Sequence, residues 1–276
     1  MSMYRYTWRT FGRELALLGA AAVVVAPFYL LVAIAFKTKS EVYGPDPLAP
    51  PTSFNLSNFA TAWDGGVGRG LLGNLIITVP TVVGVVVVGS ICAYALVRSA
   101  RRLTTVLYFA FLVGIVLPID LGTVPLYILM SELGLIGTYQ GIIMMYIGFM
   151  TPLSVFLYTG FIRTLPKSYE ESAWMDGAGP VKTYLRVVMP LLKPVTGTVV
   201  IIVGLFSWNN FFHPLIFLSG SNATSLPLVI FTFVGAEVQQ WNIIFAALII
   251  SMAPMIVFFV LAQRHLMRGL ATGIKE

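Results

Sequence analysis

Side chains with chemistry to offer gather in three places. The stretch SYEESAWMDGAGPVKTYLRVVMPLLKP, Ser168 to Pro194, collects Glu170, Glu171, Asp176, Lys182, Arg186 and Lys193 between two long apolar runs. In VLPIDLGTVPLY a lone carboxylate, Asp120, follows Pro118 within another apolar run, with Tyr127 further on. Trp208, Asn209 and Asn210 stand consecutively before FFHPLIFL. The first group suits docking, either to a charged protein surface or to lipid phosphates. The aromatic and amide group suits a polyol, because a ring covers apolar C–H faces while Asn satisfies hydroxyls.

These residues must be positioned by a chain built for lipid. Of its 276 residues 58% are hydrophobic and only 10% charged, against about 45–50% apolar in a soluble domain, and the mean hydropathy is +0.88. A bilayer core about 30 Å thick needs roughly 20 apolar residues in a helix. Six such runs are legible: Leu15 to Phe36, Leu71 to Val97, Leu103 to Met130, Gly141 to Ile162, Val195 to Leu218 and Trp241 to Leu261. Their length and unbroken apolarity predict helices rather than the short alternating strands of a barrel, so the fold class is all-α, integral to the membrane.

Orientation follows from the basic residues. Arg5, Arg9 and Arg13 precede the first run, Arg98, Arg101 and Arg102 follow the second, and Arg163, Lys167, Lys182, Arg186 and Lys193 separate the fourth from the fifth. Arg264, Arg268 and Lys275 follow the sixth, which leaves Lys37, Lys39 and Arg69 for the opposite side. The positive-inside rule then puts both termini in the cytoplasm. The net charge of +6 is a consequence of topology and calls for no nucleic acid. Ala33-Ile34-Ala35 imitates a signal-peptide cleavage site, but the run before it exceeds the usual 7–15 residues, so the first span is expected to be retained. On the outer side YGPDPLAPP excludes regular structure, and Phe54, Leu56, Phe59 and Trp63 read either as an interfacial helix or as an ordinary loop.

Enzymatic chemistry finds few supports. His213 and His265 fall near opposite membrane faces, Cys92 is the one cysteine and reads as a small packing residue, and Asp120 is the only carboxylate deep in a span. Neither a nucleophile with its base nor a metal cluster can be assembled from these. GAGPVKT, Gly177 to Thr183, superficially resembles a phosphate loop, but Val181 stands where a Gly must precede the Lys. Asp120 is costly at its depth and reads either as a functional site or as a structural hydrogen bond beside a proline kink.

Within the charged stretch, Ser168 and Glu171 have the spacing of a capping box, Gly177 offers a positive-φ stop, and Gly179-Pro180 restarts a helix. The second helix carries Val181, Tyr184, Leu185 and Val188 on one face, and Pro190 is expected to end it. Residue physics leaves this helix as either a membrane-surface element or a docking surface.

Glu171-Ser172-Ala173, then Asp176-Gly177, then Met189-Pro190 resemble the EAA loop of binding-protein-dependent ABC importer permeases, with Ser172 and Met189 departing from the family's Ala and Leu. FNLSNFATAW, NLIITV, CAYALVR, VLPIDLGTVPLY, LGLIGTYQGIIMMY, WNNFFHPLIFL and AQRHLMRGLATGIKE follow in order the segments of the carbohydrate-type, maltose-transporter kind, with the core of the likeness over 70–265. The resemblance implies a single permease domain over 1–276, with an EAA coupling loop at 163–194 between spans four and five. It implies a second homologous permease, two cytoplasmic ATPase subunits that bind ATP and Mg, and an extracellular sugar-binding protein, with no cofactor in this chain. It implies location in the bacterial inner membrane, and ATP hydrolysis by the partners and not by this subunit. The coupling contacts it points to are Glu170, Glu171, Ser172, Ala173, Asp176 and Gly177, with Gly273 and Lys275 in the tail. For the sugar path the candidates are Trp208, Asn209, Asn210, Asp120, Asn74 and Tyr127. Trp208 lies about 14 residues past Pro194, roughly 21 Å along a helix and beyond the midplane. The competing reading is a non-transport membrane scaffold or channel, although no span resembles a selectivity filter or a ring of charge.

Overall fold

The structure, a computed structural model, describes residues 8–99, 101–235 and 240–271, the last eleven as backbone only. Among them every regular element is helical. In chain order these are α1 (Trp8–Phe36), α2 (Lys39–Val42), α3 (Ser57–Ala62), α4 (Gly68–Arg98), α5 (Arg102–Val116), α6 (Thr123–Glu132) and α7 (Tyr139–Ile162). Then follow α8 (Ser168–Met175), α9 (Pro180–Thr183), α10 (Met189–Leu191), α11 (Lys193–Asn209), α12 (Phe212–Phe217), α13 (Leu226–Val234) and α14 (Trp241–Ala271).

Among the described residues four helices are by themselves long and apolar enough to cross a membrane, and six spans result only if two bent pairs each count as one. The third expected run is not one rod. α5 stops at Val116, and the segment Ile119–Glu132 leaves it at 96°. The cause is Pro118, which lacks an amide hydrogen and forces Leu117 to an extended ψ of 126°. The fifth run also breaks early, because Asn210 takes an extended ψ of 122° and ends α11. α13 was not anticipated; its 9 residues rise about 14 Å, too short to cross.

The chain divides into two compact units, Met1–Gly68 with Val229–Met255, and Arg69–Leu228 with Ile256–Glu276. In the first, polar side chains tie the foot of α1 to its loop. Lys37 is buried and donates to the Pro47 carbonyl at 2.7 Å. Asn58 donates to the carbonyls of Ala35 and Lys37, both at 2.8 Å, and its own carbonyl accepts from Asn242. Phe54, Leu56 and Trp63 are exposed. α3 continues through a π turn at Trp63–Val67, where Gly66 takes φ 106°.

In the second unit α4, α7 and α11 pack through Val85, Ala93, Val155, Tyr158, Val199 and Val203. Lipid tails are as apolar as these side chains, so close approach and van der Waals contact must supply the association. Glycines provide it: a Cβ on Gly89 would collide with Ser154, and one on Gly73 with the carbonyl of Thr224. A second cluster joins Ile77, Met130, Ile142, Tyr146 and Phe217.

The α2 loop makes one pH-dependent contribution. Thr38 and Glu41 form a capping box, and the Glu41 carboxylate also accepts from the hydroxyl and amide of Thr52. The Thr52 hydroxyl first, and the Thr38 amide next, hold Glu41 at about 2 rather than 4.5. A folded value below the unfolded one stabilises above about pH 4.5 and loses that benefit as pH falls toward 2. Thermal unfolding from about pH 6 to about pH 3 should therefore show Glu41→Gln less stable than wild type at the upper end and converging with it at the lower.

Candidate functional site

Helix α8 carries the acidic half of the charged loop, and its caps differ from expectation at one end only. The N-cap is Lys167, whose carbonyl accepts from Glu170 and Glu171, and no side chain caps the helix. The capping box of Ser168 with Glu171 is therefore absent. Starting one residue early places Ser168 inside the first turn, where its carbonyl accepts from the Ser172 hydroxyl at 2.8 Å. At the other end Gly177 takes φ +76°. Its amide bonds Trp174 and the next amide, of Ala178, reaches back to Ala173, the paired closure of a Schellman motif.

Adjacent carboxylates in α8 have opposite fates. Glu170 is only 3% exposed. Its Oε1 accepts from Arg98 Nε at 2.7 Å and its Oε2 from the Tyr94 hydroxyl at 2.9 Å, both from the end of α4. Arg98 also donates to the Leu165 carbonyl. Glu170 was expected on the docking face; it is instead the peg that fixes α8 to the membrane helix. Glu171 and Asp176 are exposed, as are Ser172 and Gly177, with Ala173 half-buried.

The second helix of the loop presents a different face from the one periodicity suggested. α9 opens at Gly179-Pro180 as expected, but a π turn at Tyr184–Val188 follows and shifts the register. Thr183, Tyr184 and Val188 turn inward, while Val181 and Leu185 stay outside. Tyr184 packs its ring on Tyr94 and its hydroxyl lies 2.6 Å from that of Ser90. Pro190 does not end the helix. It falls at the start of α10, where no amide hydrogen is required, and the 76° bend comes at the junction with α11. The loop thus shows solvent a band of Trp174, Met175, Val181 and Leu185, from 52% to 89% exposed, beside Glu171 and Asp176. Gly273 and Lys275 lie outside the described residues.

The remaining candidates separate into structural and open groups. Asn74 is 1% exposed; it donates to the Trp208 carbonyl at 2.9 Å and accepts from the Leu226 amide at 3.0 Å. Trp208 is itself buried. Both are occupied in holding α4, α11 and the start of α13. Asn209 is exposed, its amide resting on the Leu205 carbonyl. Tyr127 is 40% exposed, with its ring against Phe217.

Asn210, His213 and Asp120 form a cluster that sequence reading missed. His213 is buried among Tyr146, Phe149 and Phe217. Asn210 Oδ1 accepts from the His213 amide at 3.1 Å and lies 3.0 Å from its Nδ1. With Nδ1 donating, Nε2 is left to face the Asp120 carboxylate at 3.8 Å, and it has no hydrogen-bond partner. Asp120 is 74% exposed, held by the 3₁₀ turn Ile119–Gly122 that follows the break at Pro118. The available signal was Asp120 itself: an intramembrane carboxylate requires a polar partner.

A multi-pass helical membrane protein with a charged loop pinned to its core is what the fold and these contacts define. Residues 84–272 match the family described as binding-protein-dependent transport system inner membrane component, and the chain belongs to that family. It is 33% identical over 252 residues, 90% of each chain, to the probable starch degradation products transport system permease protein of Thermoanaerobacterium thermosulfurigenes. It is 34% identical over 271 residues, 96% of this chain and 97% of the relative, to the melibiose/raffinose/stachyose import permease protein of Bacillus subtilis (strain 168). A chain from the crystal structure of a bacterial ABC transporter involved in the import of the acidic polysaccharide alginate shares the fold, with a TM-score of 0.81, 20% identity and coverage of 96% and 99%. The protein is thus a multi-pass inner-membrane component.

Removing one partner of the buried pair leaves the other charge without compensation. Glu170→Ala should cost about 3 kcal/mol or more, whereas Arg98→Met with Glu170→Leu should recover most of it. Thermal unfolding of the two variants in detergent checks both.

Proposed function

We propose that this chain is the permease subunit of an ATP-driven sugar importer, forming half of the translocation path and receiving force from a cytoplasmic ATPase through the loop 163–194. The observation that carries the reading is the division of labour within α8. Glu170 locks the helix to α4, while Glu171, Asp176, Trp174 and Met175 remain unpaired with the rest of the fold and available to a partner. A connector needs one rigid end and one presented face.

In this reading both termini are cytoplasmic and each bent pair counts as one span, giving six. The partners are a second homologous permease, two ATP-binding-cassette subunits carrying ATP and Mg, and an extracellular sugar-binding protein. The sugar class rests on the relatives whose names give starch degradation products and melibiose, raffinose or stachyose. Closure of the ATPases would move α8, and the Arg98–Glu170 pair with the Tyr94–Tyr184 contact would pass the displacement to α4. Such a device is a two-state element biased by a remote ligand.

For the sugar path the proposal narrows to Asp120, Asn209, Asn210 and Tyr127, with His213 added and Trp208 and Asn74 assigned to support. The unpartnered His213 Nε2 and the exposed Asp120 carboxylate face each other as two acceptors. Neighbouring hydroxyls of a sugar, both donors, would bridge that gap.

Two measurements test these assignments in the assembled complex. Gly177→Val forces a β-branched residue into the left-handed region and should abolish most sugar uptake while ATP hydrolysis persists; Gly177→Ala, strained by about 1 kcal/mol, should fall between. Undiminished uptake by the Val variant would refute coupling through this loop. Asp120→Asn should raise the sugar concentration needed for half-maximal uptake with little change in basal ATP hydrolysis. An unchanged uptake curve would remove Asp120 from the path.

A further inference from the structure

Three arginines of the inner side have no part in the coupling face or in the pair with Glu170, and they converge on one cleft. It holds about 480 Å³ between the start of α5 and the end of α7, and its walls include Arg101, Arg102, Thr105, Tyr108, Thr159 and Arg163. None of the residues lining it is acidic. The nearby Glu170 is already taken by Arg98.

The cleft is prepared for an anion in three separate respects. First, the Arg163 guanidinium is fixed over the Tyr108 ring, 5.0 Å from its centroid, which limits the entropy lost when it grips a ligand. Second, α5 begins at Arg102 with no side chain capping it, and although the Thr104 amide bonds the Arg101 carbonyl, the positive end of the helix dipole lies at residues that line the cleft. Third, Thr159 is 1% exposed and its hydroxyl has no hydrogen-bond partner, although it lines the cleft. A buried hydroxyl without a partner costs free energy that a ligand oxygen would recover.

Guanidinium forks, a positive helix end and a hydroxyl together match the oxygens of a phosphate. The surroundings identify its source. Leu103, Val106 and Phe109 extend along α5 from the cleft and are 59% to 63% exposed, a surface suited to acyl chains. We propose that this cleft binds the phosphate of an anionic phospholipid headgroup in the inner leaflet. Its placement in that leaflet rests on the orientation given above, but headgroup binding does not depend on the identity of the transported solute.

The test uses the complete transporter in nanodiscs of phosphatidylcholine with and without phosphatidylglycerol, with lipid retention read by native mass spectrometry. Wild type should retain phosphatidylglycerol selectively, and Arg101→Gln with Arg163→Gln should each weaken retention about fivefold. Arg163→Lys should restore only part, since it keeps the charge but loses the planar fork. Thr159→Val removes a hydroxyl that the fold does not use, so it should preserve thermal stability while reducing retention. Equal retention of the two lipids, or retention unaffected by all four variants, would overturn the proposal. Displacement of the lipid by inorganic phosphate would overturn its lipid source and assign the cleft to a soluble anion. Nanodiscs expose both leaflets, so failure of headgroup binding is distinguishable from an error in orientation.

Discussion

The buried pair between Arg98 and Glu170 is the constraint on which the charged-loop side of this protein is organised. Two charges leave water there, and their mutual attraction alone would not offset the desolvation. The difference is made by the extra bonds: the Tyr94 hydroxyl on one carboxylate oxygen, the Arg98 fork on the other, and the Leu165 carbonyl on the guanidinium. Such a network tolerates only one geometry, because every member is partly buried and each lost bond leaves an orphan. It therefore sets the rotation of α8 about its own axis. With Glu170 turned inward, the next residue, about 100° round the helix, is necessarily turned out. The exposure of Glu171 and the band containing Trp174 and Met175 follows from the placement of one carboxylate.

The same economy governs the breaks in the spans. Irregular backbone at membrane depth is tolerable only where protein or a polar cavity receives its free groups. The break at Pro118 presents Asp120 on a 3₁₀ turn, and the break at Asn210 is closed by that residue's own side chain on the His213 amide. Two interruptions in different spans are thereby joined into one polar cluster. Asn74 performs the corresponding task for the Trp208 carbonyl and the Leu226 amide. An amide side chain can serve two backbone groups at once, which makes it a clamp in a protein with little other polar material.

Much of this is legible in the sequence. Apolar runs of about 20 residues marked the membrane-crossing helices because the membrane imposes that length, though two of the six runs are bent pairs and not single rods, and Gly177 and Gly179-Pro180 marked the loop's turns because their backbone restrictions are local. What failed depended on partners distant in sequence. The spacing of Ser168 and Glu171 fitted a capping box, but Lys167 opens the helix, a shift of one residue that local rules do not resolve. The inward face of the second loop helix was misread because the π turn at Tyr184–Val188 changes the period on which facing depends. Glu170 and Glu171 are chemically alike, and nothing short of Arg98, 72 residues earlier, distinguishes them. Asn74 is a sugar-path candidate on residue type, but its side chain is committed to the Trp208 carbonyl, 134 residues away, and the Trp208 ring is buried.

The arginines near the charged loop differ in ways that charge alone does not capture. In a count of basic residues Arg98, Arg101, Arg102 and Arg163 are equivalent. In the fold they are not. Arg98 is spent on Glu170, and its charge is cancelled within the protein. Arg163, held on Tyr108, and Arg101 and Arg102, beside the uncapped start of α5, keep theirs and surround an open cleft. A guanidinium without a carboxylate is favourable at an anionic leaflet, where each basic side chain near the surface gains about 1 kcal/mol. The helices that frame the cleft also bear on the polar cluster: α5 ends at the break that presents Asp120, and Tyr146 and Phe149 of α7 pack against His213. The proposed headgroup site and the polar cluster therefore bear on the same two helices.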